Sequence, residues 1–238
     1  VTTFTAVGDS EDIGRALYNA LCFLPARSSP PYVRAFFMPG RVEFTATDCY
    51  TIGRDWAELE FGPKQPVEVW ITHEAAKSFE ATARKDVVPK SRAPMDAPDG
   101  RGRGAITYYS GDALHFAPQL EGMPTSGKDC TGRVGPVFCP TGVVNLADLW
   151  KACDDLLEPL EAGEGDRPPD KAMFDPSLLG RFSKIKTPGR QLAHMDMLFT
   201  DSSNVTLVKI GSRFRGAIMA IDRETAADHP AMPQEGLW

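Results

Sequence analysis

The chain has 238 residues, 42% of them apolar and 24% charged, and carries a formal net charge of −6. This is the composition of a globular protein, long enough for one large domain or two medium ones, and two suit the length better. No apolar run reaches the roughly 18 residues that a spanning helix needs, and the N-terminal VTTFTAVGDSEDIG lacks the basic, apolar and small-residue order of a secretory signal. A cytoplasmic protein with no membrane partner is expected.

The first element is a strand around Thr3 to Val7, followed by a helix with Asp9 and Ser10 as cap candidates and Glu11 and Asp12 in its first turn. Ile13, Ala16, Leu17, Ala20, Leu21 and Leu24 recur at helical spacing, which buries one stripe, and Pro25 ends the helix. The strands YVRAFFM and VEFTAT meet at Pro39-Gly40, a turn dipeptide that predicts a hairpin. The second strand leads into FTATDCYTIG, where Asp48 is read as a turn residue that fixes the chain's exit. Next, VEVWI alternates Val67, Val69 and Ile71 with Glu68 and Trp70, and His73-Glu74 open a helix whose inner residues are Ala76, Phe79 and Ala83. Its other face carries Lys77, Arg84 and Lys85. VVPKSRAPMDAPDGRGRG is read as an exposed basic loop, and AITYY and ALHFA as a hairpin across Ser110-Gly111-Asp112.

Gly, Pro, Thr and Ser dominate residues 121 to 142, which marks a linker. A helix from Asn145 to Leu157 opens the second half, with Leu146, Leu149, Trp150, Cys153, Leu156 and Leu157 as its apolar residues, and an acidic loop follows. In FDPSLLGRFSKIK, Asp175 caps a helix, Pro176 takes its first position, and Leu178, Leu179, Phe182 and Ile185 form the buried stripe. Arg181, Lys184 and Lys186 lie off that stripe. HMDMLF, VTLVKI and RFRGAIMAI read as three closing strands. VEVWITHEAAKSF and KAMFDPSLLGRFSKI thus spell the same order twice: a strand, a cap, then an amphipathic helix with a basic outer face. The fold class is α+β, antiparallel sheet covered by helices on one face.

Charge is unevenly spread. Lys77 to Arg103 holds seven basic and four acidic residues and Lys171 to Arg215 eight and three, whereas Asn145 to Asp170 holds eight acids against Lys151 and Arg167. Such a chain can draw an anionic polymer to one face while repelling it elsewhere. The five cysteines are odd in number, with no C-x-x-C pair and no histidine at ligand spacing, so reduced thiols are expected and neither a disulfide framework nor a metal or other cofactor. No phosphate loop, nucleophile elbow, zinc-protease motif or dinucleotide fingerprint is present, which speaks against an enzyme and leaves no catalytic residue to name.

Three motifs, TATDCYTIGR, FDPSLLGRFSKIK and FRGAIMAID, stand in this order along the chain. They resemble the Ala-Thr-Asp-Gly-(His/Tyr)-Arg-Leu-Ala stretch, the Phe-Asn-x-x-Tyr-Leu-Leu-Asp-Ala-Leu helix and the terminal Tyr-x-x-x-Met-Pro-(Met/Val)-Arg strand of the DNA polymerase sliding clamp in its bacterial β-subunit form. QLEGMPT resembles the Gly-x-Phe-Pro-Asp turn that leaves the clamp's middle domain. The resemblance implies a DNA-clamp-like fold: residues 1–125 similar to the middle domain, 126–142 a linker, 143–222 a shortened last domain and 223–238 a tail. The shortness of the chain suggests a phage-encoded form.

The resemblance further implies a processivity factor that encircles duplex DNA without sequence preference and tethers a replicative polymerase. Two domains per chain call for a homotrimer. The DNA-facing residues would be Lys77, Arg84, Lys85, Arg181, Lys184 and Lys186, with Arg15 and Lys151 as further candidates. Polymerase and clamp-loader peptides would enter an apolar pocket formed by Thr47, Cys49, Tyr50, Thr51 and Ile52 from one domain and Met219, Ala220 and Ile221 from the other. Cys49 stands where the family has glycine, Thr51 and Asp222 where it has arginine, and Ala220 where it has proline. The outward acids Asp148, Asp154 and Asp155 suit a DNA-facing surface badly. QEGLW at the end of the chain has the Gln-x-x-Leu-aromatic spacing of peptides that clamps capture. The alternative reading is a clamp-like adaptor that does not encircle DNA and binds a polymerase or another clamp.

Overall fold

A computed structural model describes residues 4–25, 31–85, 103–109, 113–119, 133–138, 146–162, 172–188, 194–199 and 204–221, with backbone alone at 84, 85, 103–109, 113–119, 133–138, 146, 147 and 159–162. Strand β1 (Phe4–Asp9) runs into helix α1 (Ser10–Leu21), where the Asp9 carboxylate accepts from the Asp12 N–H at 2.9 Å and Glu11 and Asp12 place negative charge at the helix's positive end. The buried face of α1 is Ile13, Ala16, Leu17 and Ala20, the stripe its periodicity predicts. Strands β2 (Tyr32–Met38) and β3 (Arg41–Thr47) form the expected hairpin, with Gly40 at φ +81°, a conformation that suits glycine.

Strand β4 (Thr51–Phe61) was not legible as a strand because its inward positions, Gly53, Asp55, Ala57 and Leu59, begin with a glycine and a carboxylate. It pairs with β3 from Ile52 to Glu58 along one edge. After it come β5 (Val67–Thr72) and α2 (His73–Lys85), then β6 (Arg103–Tyr109) and β7 (Ala113–Gln119), the second hairpin. Residues 133–138, expected in the linker, instead form strand β8 (Arg133–Phe138), which pairs with β7 and β5. Backbone pairing therefore runs unbroken through β1-β6-β7-β8-β5-β2-β3-β4 and back to β1 through Val7–Phe61 and Gly8–Leu59.

The second half supplies α3 (Leu146–Ala162), α4 (Pro176–Phe182) and strands β9 (Met195–Phe199), β10 (Val205–Ile210) and β11 (Phe214–Met219). Asp175 caps α4 as expected, its carboxylate accepting from the Ser177 N–H at 2.7 Å, and the helix ends at Phe182, so Ile185 reaches the core from the segment beyond it. No strand precedes α4 among the described residues, a departure from the expected repeat; Met173 there accepts one backbone bond, from the Ile221 N–H at 2.8 Å. Strand β11 pairs antiparallel with β4, Ile218–Thr51 through Arg215–Arg54, so among the described residues a single sheet of eleven strands crosses from one half to the other.

Two apolar clusters lie on opposite faces of that sheet. Val33, Ala35, Phe37, Val42, Phe44, Val69, Ile71, Val208, Phe214 and Ile218 point to the side that holds α1, α2 and α4, where Phe23, Phe182 and Phe214 stack at centroid separations of 4.9 to 6.1 Å. On the other side Ile52, Trp70, Leu207 and Ala217 meet Trp150, Cys153 and Leu157 of α3. The expectation of helices on one face holds for α1, α2 and α4. It fails for α3, because Ile52 of β4 and Ala217 of β11 point to the side that α1 and α4 leave uncovered and, with Trp70 and Leu207, make an apolar strip that needs a cover. Among the described residues, no helix is long and apolar enough to cross a membrane.

The α1 side leaves no room at Gly53, where a Cβ would stand 2.0 Å from Phe23 Cδ2. Gly53→Ala must push the ring out of its stack and is expected to cost about 1–3 kcal/mol, read as a lowering of the thermal midpoint by very roughly 2–12 °C for a chain of this size.

Candidate functional site

The site lies at the seam between β4 and β11, and a turn builds it. Between β3 and β4 the chain reverses over Asp48, Cys49 and Tyr50, with Cys49 at φ +73°. Asp48 Oδ1 accepts from the N–H groups of Tyr50 (3.1 Å) and Thr51 (2.8 Å) and from the Thr51 hydroxyl (2.9 Å). Thr47 Oγ1 donates to the Thr51 carbonyl at 2.8 Å and accepts from the Cys49 N–H at 3.1 Å. This is the Asx-type wrapping that short polar side chains provide at turns, and it bears out Asp48 as the residue that fixes the strand's exit.

Strand β11 then closes on the turn: the Met219 N–H donates to the Tyr50 carbonyl at 3.0 Å, and the Ala220 N–H to the Asn204 carbonyl at 2.6 Å. The eight expected pocket residues are thereby gathered at one end of the seam, but they divide into two sets. Thr47, Thr51 and Ile52 are buried, the two threonines within the turn's own hydrogen bonds and Ile52 under α3. Cys49, Tyr50, Met219 and Ile221 are exposed and Ala220 half-buried; Tyr50, Met219 and Ile221 are 61%, 41% and 39% exposed, three large apolar side chains left uncovered at this end of the seam.

The basic residues also divide. Lys77, Lys184 and Lys186 stand exposed on the side of α1, α2 and α4, with the Lys186 ammonium 4.0 Å from the centre of the Tyr18 ring. The side chains of Arg84 and Lys85 lie outside the described residues. Arg181, expected to face DNA, turns into the seam, where its Nη1 donates to Asp48 Oδ2 at 2.6 Å and to Thr51 Oγ1 at 2.7 Å. The carboxylate beneath the turn neutralises that guanidinium and leaves it mostly buried. Arg15 is likewise held, by Asp55, Asp12 and the Trp56 carbonyl. Lys151 is paired with Asp155 on the exposed side of α3, away from the other helices. The acids of α3 do not burden the α1, α2 and α4 face either: on the α3 side of the sheet Asp154 accepts from Arg34, at 2.8 and 2.9 Å, and from Arg54.

Sequence reasoning missed Arg181 as a seam residue, and it missed the Asp154 bridge. Their partners lie more than a hundred positions away, so no local spacing could have signalled either pair. It also missed that the α3 stripe covers Ile52. The basic loop expected after α2 falls largely outside the described residues, as do QLEGMPT and QEGLW.

No protein-family model matches the chain, and no curated protein matches it. Solved structures do. The chain is similar to the DNA polymerase sliding clamp of Bacillus subtilis (TM-score 0.54, 14% identity, 97% of this chain and 69% of that one) and to the DNA polymerase III subunit beta of Pseudomonas aeruginosa (0.53, 9%, 96% and 68%). It is also similar to the pol III beta of Caulobacter crescentus (0.55, 10%, 92% and 66%). The fold is that of the bacterial sliding clamps, and the chain spans about two thirds of their length.

Two outcomes follow at the turn. Burial raises the Asp48 carboxyl, but Arg181 and the Thr51 donors outweigh it and hold its pKa below the ordinary 3.8. A depressed folded pKa means that Asp48 lends the seam its full stabilisation above the ordinary carboxylate range and loses it as pH falls through the lower folded value. Arg181→Ala is expected to cost about 2 kcal/mol at neutral pH and to flatten the part of the acid limb that Asp48 contributes, so that the difference from wild type shrinks towards pH 2; both are read by urea unfolding across pH 2–7. Cys49→Gly relieves the left-handed strain and is expected to raise stability by roughly 0.5–1 kcal/mol in the same assay.

Proposed function

We propose that this chain is a clamp-type processivity factor, a non-enzymatic scaffold that meets duplex DNA through the α1, α2 and α4 side and holds apolar segments of a polymerase or loader at the seam. In this reading β1 to β8 make one complete clamp unit and α3 to β11 a shortened second one, and three chains close a ring around the duplex. What supports it is the β4–β11 pairing: a continuous sheet backs the helices on one side and ends in exposed Tyr50, Met219 and Ile221. Lys77, Lys184 and Lys186, with Arg84 and Lys85 of α2, supply charge to phosphates without gripping base edges, the chemistry of sequence-independent and salt-sensitive binding. Met219, Tyr50 and Ile221 supply the apolar surface for a peptide, and the hydroxyl of exposed Tyr50 a polar edge to it.

The adaptor reading has its own support. The described part of the second half places only α4 beside α1 and α2, and Arg15 and Arg181 are consumed in ion pairs. A chain of that kind binds a polymerase or another clamp through the seam and leaves DNA unencircled.

Light scattering on the size-exclusion peak separates the two: a trimer is expected for the ring, and a monomer at high concentration removes it. If the lysines contact DNA, replacing Lys77, Lys184 and Lys186 together by alanine lowers the slope of log K against log salt by about 2–3. An unchanged slope takes those residues out of the interface.

A further inference from the structure

The strip under α3 has the makings of a binding surface in its own right. Ile52 and Ala217 stand opposite each other in the β4–β11 register, with Leu207 and Trp70 on the same face and Tyr32, Leu198 and Val205 packed at the margins. Arg34 and Arg54 project beside this strip and converge on one carboxylate, that of Asp154. An apolar groove flanked by two guanidiniums selects for a helix that carries apolar residues at i, i+3 and i+7 and an acid next to them. α3 meets that description with Trp150, Cys153, Leu157 and Asp154.

Two features set α3 apart from a helix that is part of the core. Its buried Trp150 Nε1 has no hydrogen-bond partner among the described residues, so the helix sits in the groove with an unsatisfied donor that weakens its hold. The strip also continues to an uncovered end: Met219 lies on the same face of β11 as Ala217, two residues on, is exposed, and donates its N–H to the carbonyl of exposed Tyr50. A segment bound at the seam would therefore extend under α3 if α3 gave way.

We infer that the strip beneath α3 is an interaction surface for an amphipathic, acid-bearing helical segment, and that α3 is its resident occupant, displaced when a partner segment of the same chemistry takes its place. This rests on the reading that the seam holds partner segments, and it adds the part of the surface that α3 covers and the means of its control. Wild-type chain in which α3 is seated presents Tyr50, Met219 and Ile221 alone. Displacement adds Ile52, Ala217, Leu207 and the two arginines.

A fluorescein-labelled peptide of residues 146–162, titrated against the full chain, tests the exchange. Asp154→Asn in the chain loosens the resident helix and leaves Arg34 and Arg54 for the peptide's own Asp154, so the peptide is expected to bind this variant about tenfold or more tightly than wild type. A peptide that itself carries Asp154→Asn is expected to lose that gain. Equal binding to both chains, or none to either, overturns the inference. Hydrogen exchange on the wild type gives a second readout that needs no variant to fold: α3 amides are expected to exchange through an opening that leaves β2 and β3 protected. Exchange of α3 only together with β2 and β3 makes it a fixed part of the core and likewise overturns the inference. Neither readout involves DNA or oligomeric state, so a monomeric chain that ignores DNA would defeat the ring and leave this result standing.

Discussion

Strand β4 is the element on which the rest depends, because it alone among the described strands is hydrogen-bonded to three others. One edge belongs to β3 along most of its length; the other is shared, first by β11 and then by β1. The inward residues of β4 explain how both halves fit against it. Gly53 leaves the space that Phe23 fills, and Phe23 in turn stacks on Phe182 and Phe214 of the second half. Asp55 accepts from the Asn19 amide at 2.6 Å and from the Arg15 guanidinium, while the Asn19 side chain also donates to the Lys186 carbonyl and accepts from the Lys186 N–H. A buried carboxylate is tolerable only when so surrounded, and here the surrounding groups come from α1 and from the segment after α4.

The division of labour between arginine and lysine follows from the same constraint. Arg15, Arg34, Arg54, Arg181 and Arg213 each bind a carboxylate from a different element, and Arg213 also lies 4.4 Å from the centre of the Trp56 ring. Among the described side chains, the exposed cations on the α1, α2 and α4 side are lysines. A planar guanidinium with five donors can serve a buried carboxylate and a hydroxyl at once, as Arg181 does with Asp48 and Thr51, whereas an ammonium keeps its hydration better and remains at the surface. Residues that look alike when charge is counted along the chain therefore play different parts.

Much of the fold was legible locally. The α1 cap at Asp9, the Gly40 hairpin and the Asp175-Pro176 start of α4 all rest on interactions within four residues, and each stands as its motif predicts. β8 was hidden because Gly135 and Pro136 read as linker residues, and only pairing with β7 and β5 makes that stretch a strand. β4 was hidden because its inward face begins with Gly53 and Asp55. For α3 the periodicity identified the buried stripe, yet nothing in a 3.6-residue repeat says which side of a sheet the stripe will meet.

The candidate site divides the same way. The sequence by itself determined the wrapped turn at Asp48, the apolar character of Met219 and Ile221, and the basic residues around α2 and α4, since these depend on residue chemistry and short-range hydrogen bonds. Only the tertiary structure decided that β11 would dock on β4, that Arg181 would serve the turn rather than the surface, and that α3 would cover Ile52 from the opposite face. Those outcomes join residues more than a hundred positions apart, and they are set by which buried charges find partners and which apolar faces remain uncovered once the sheet has formed.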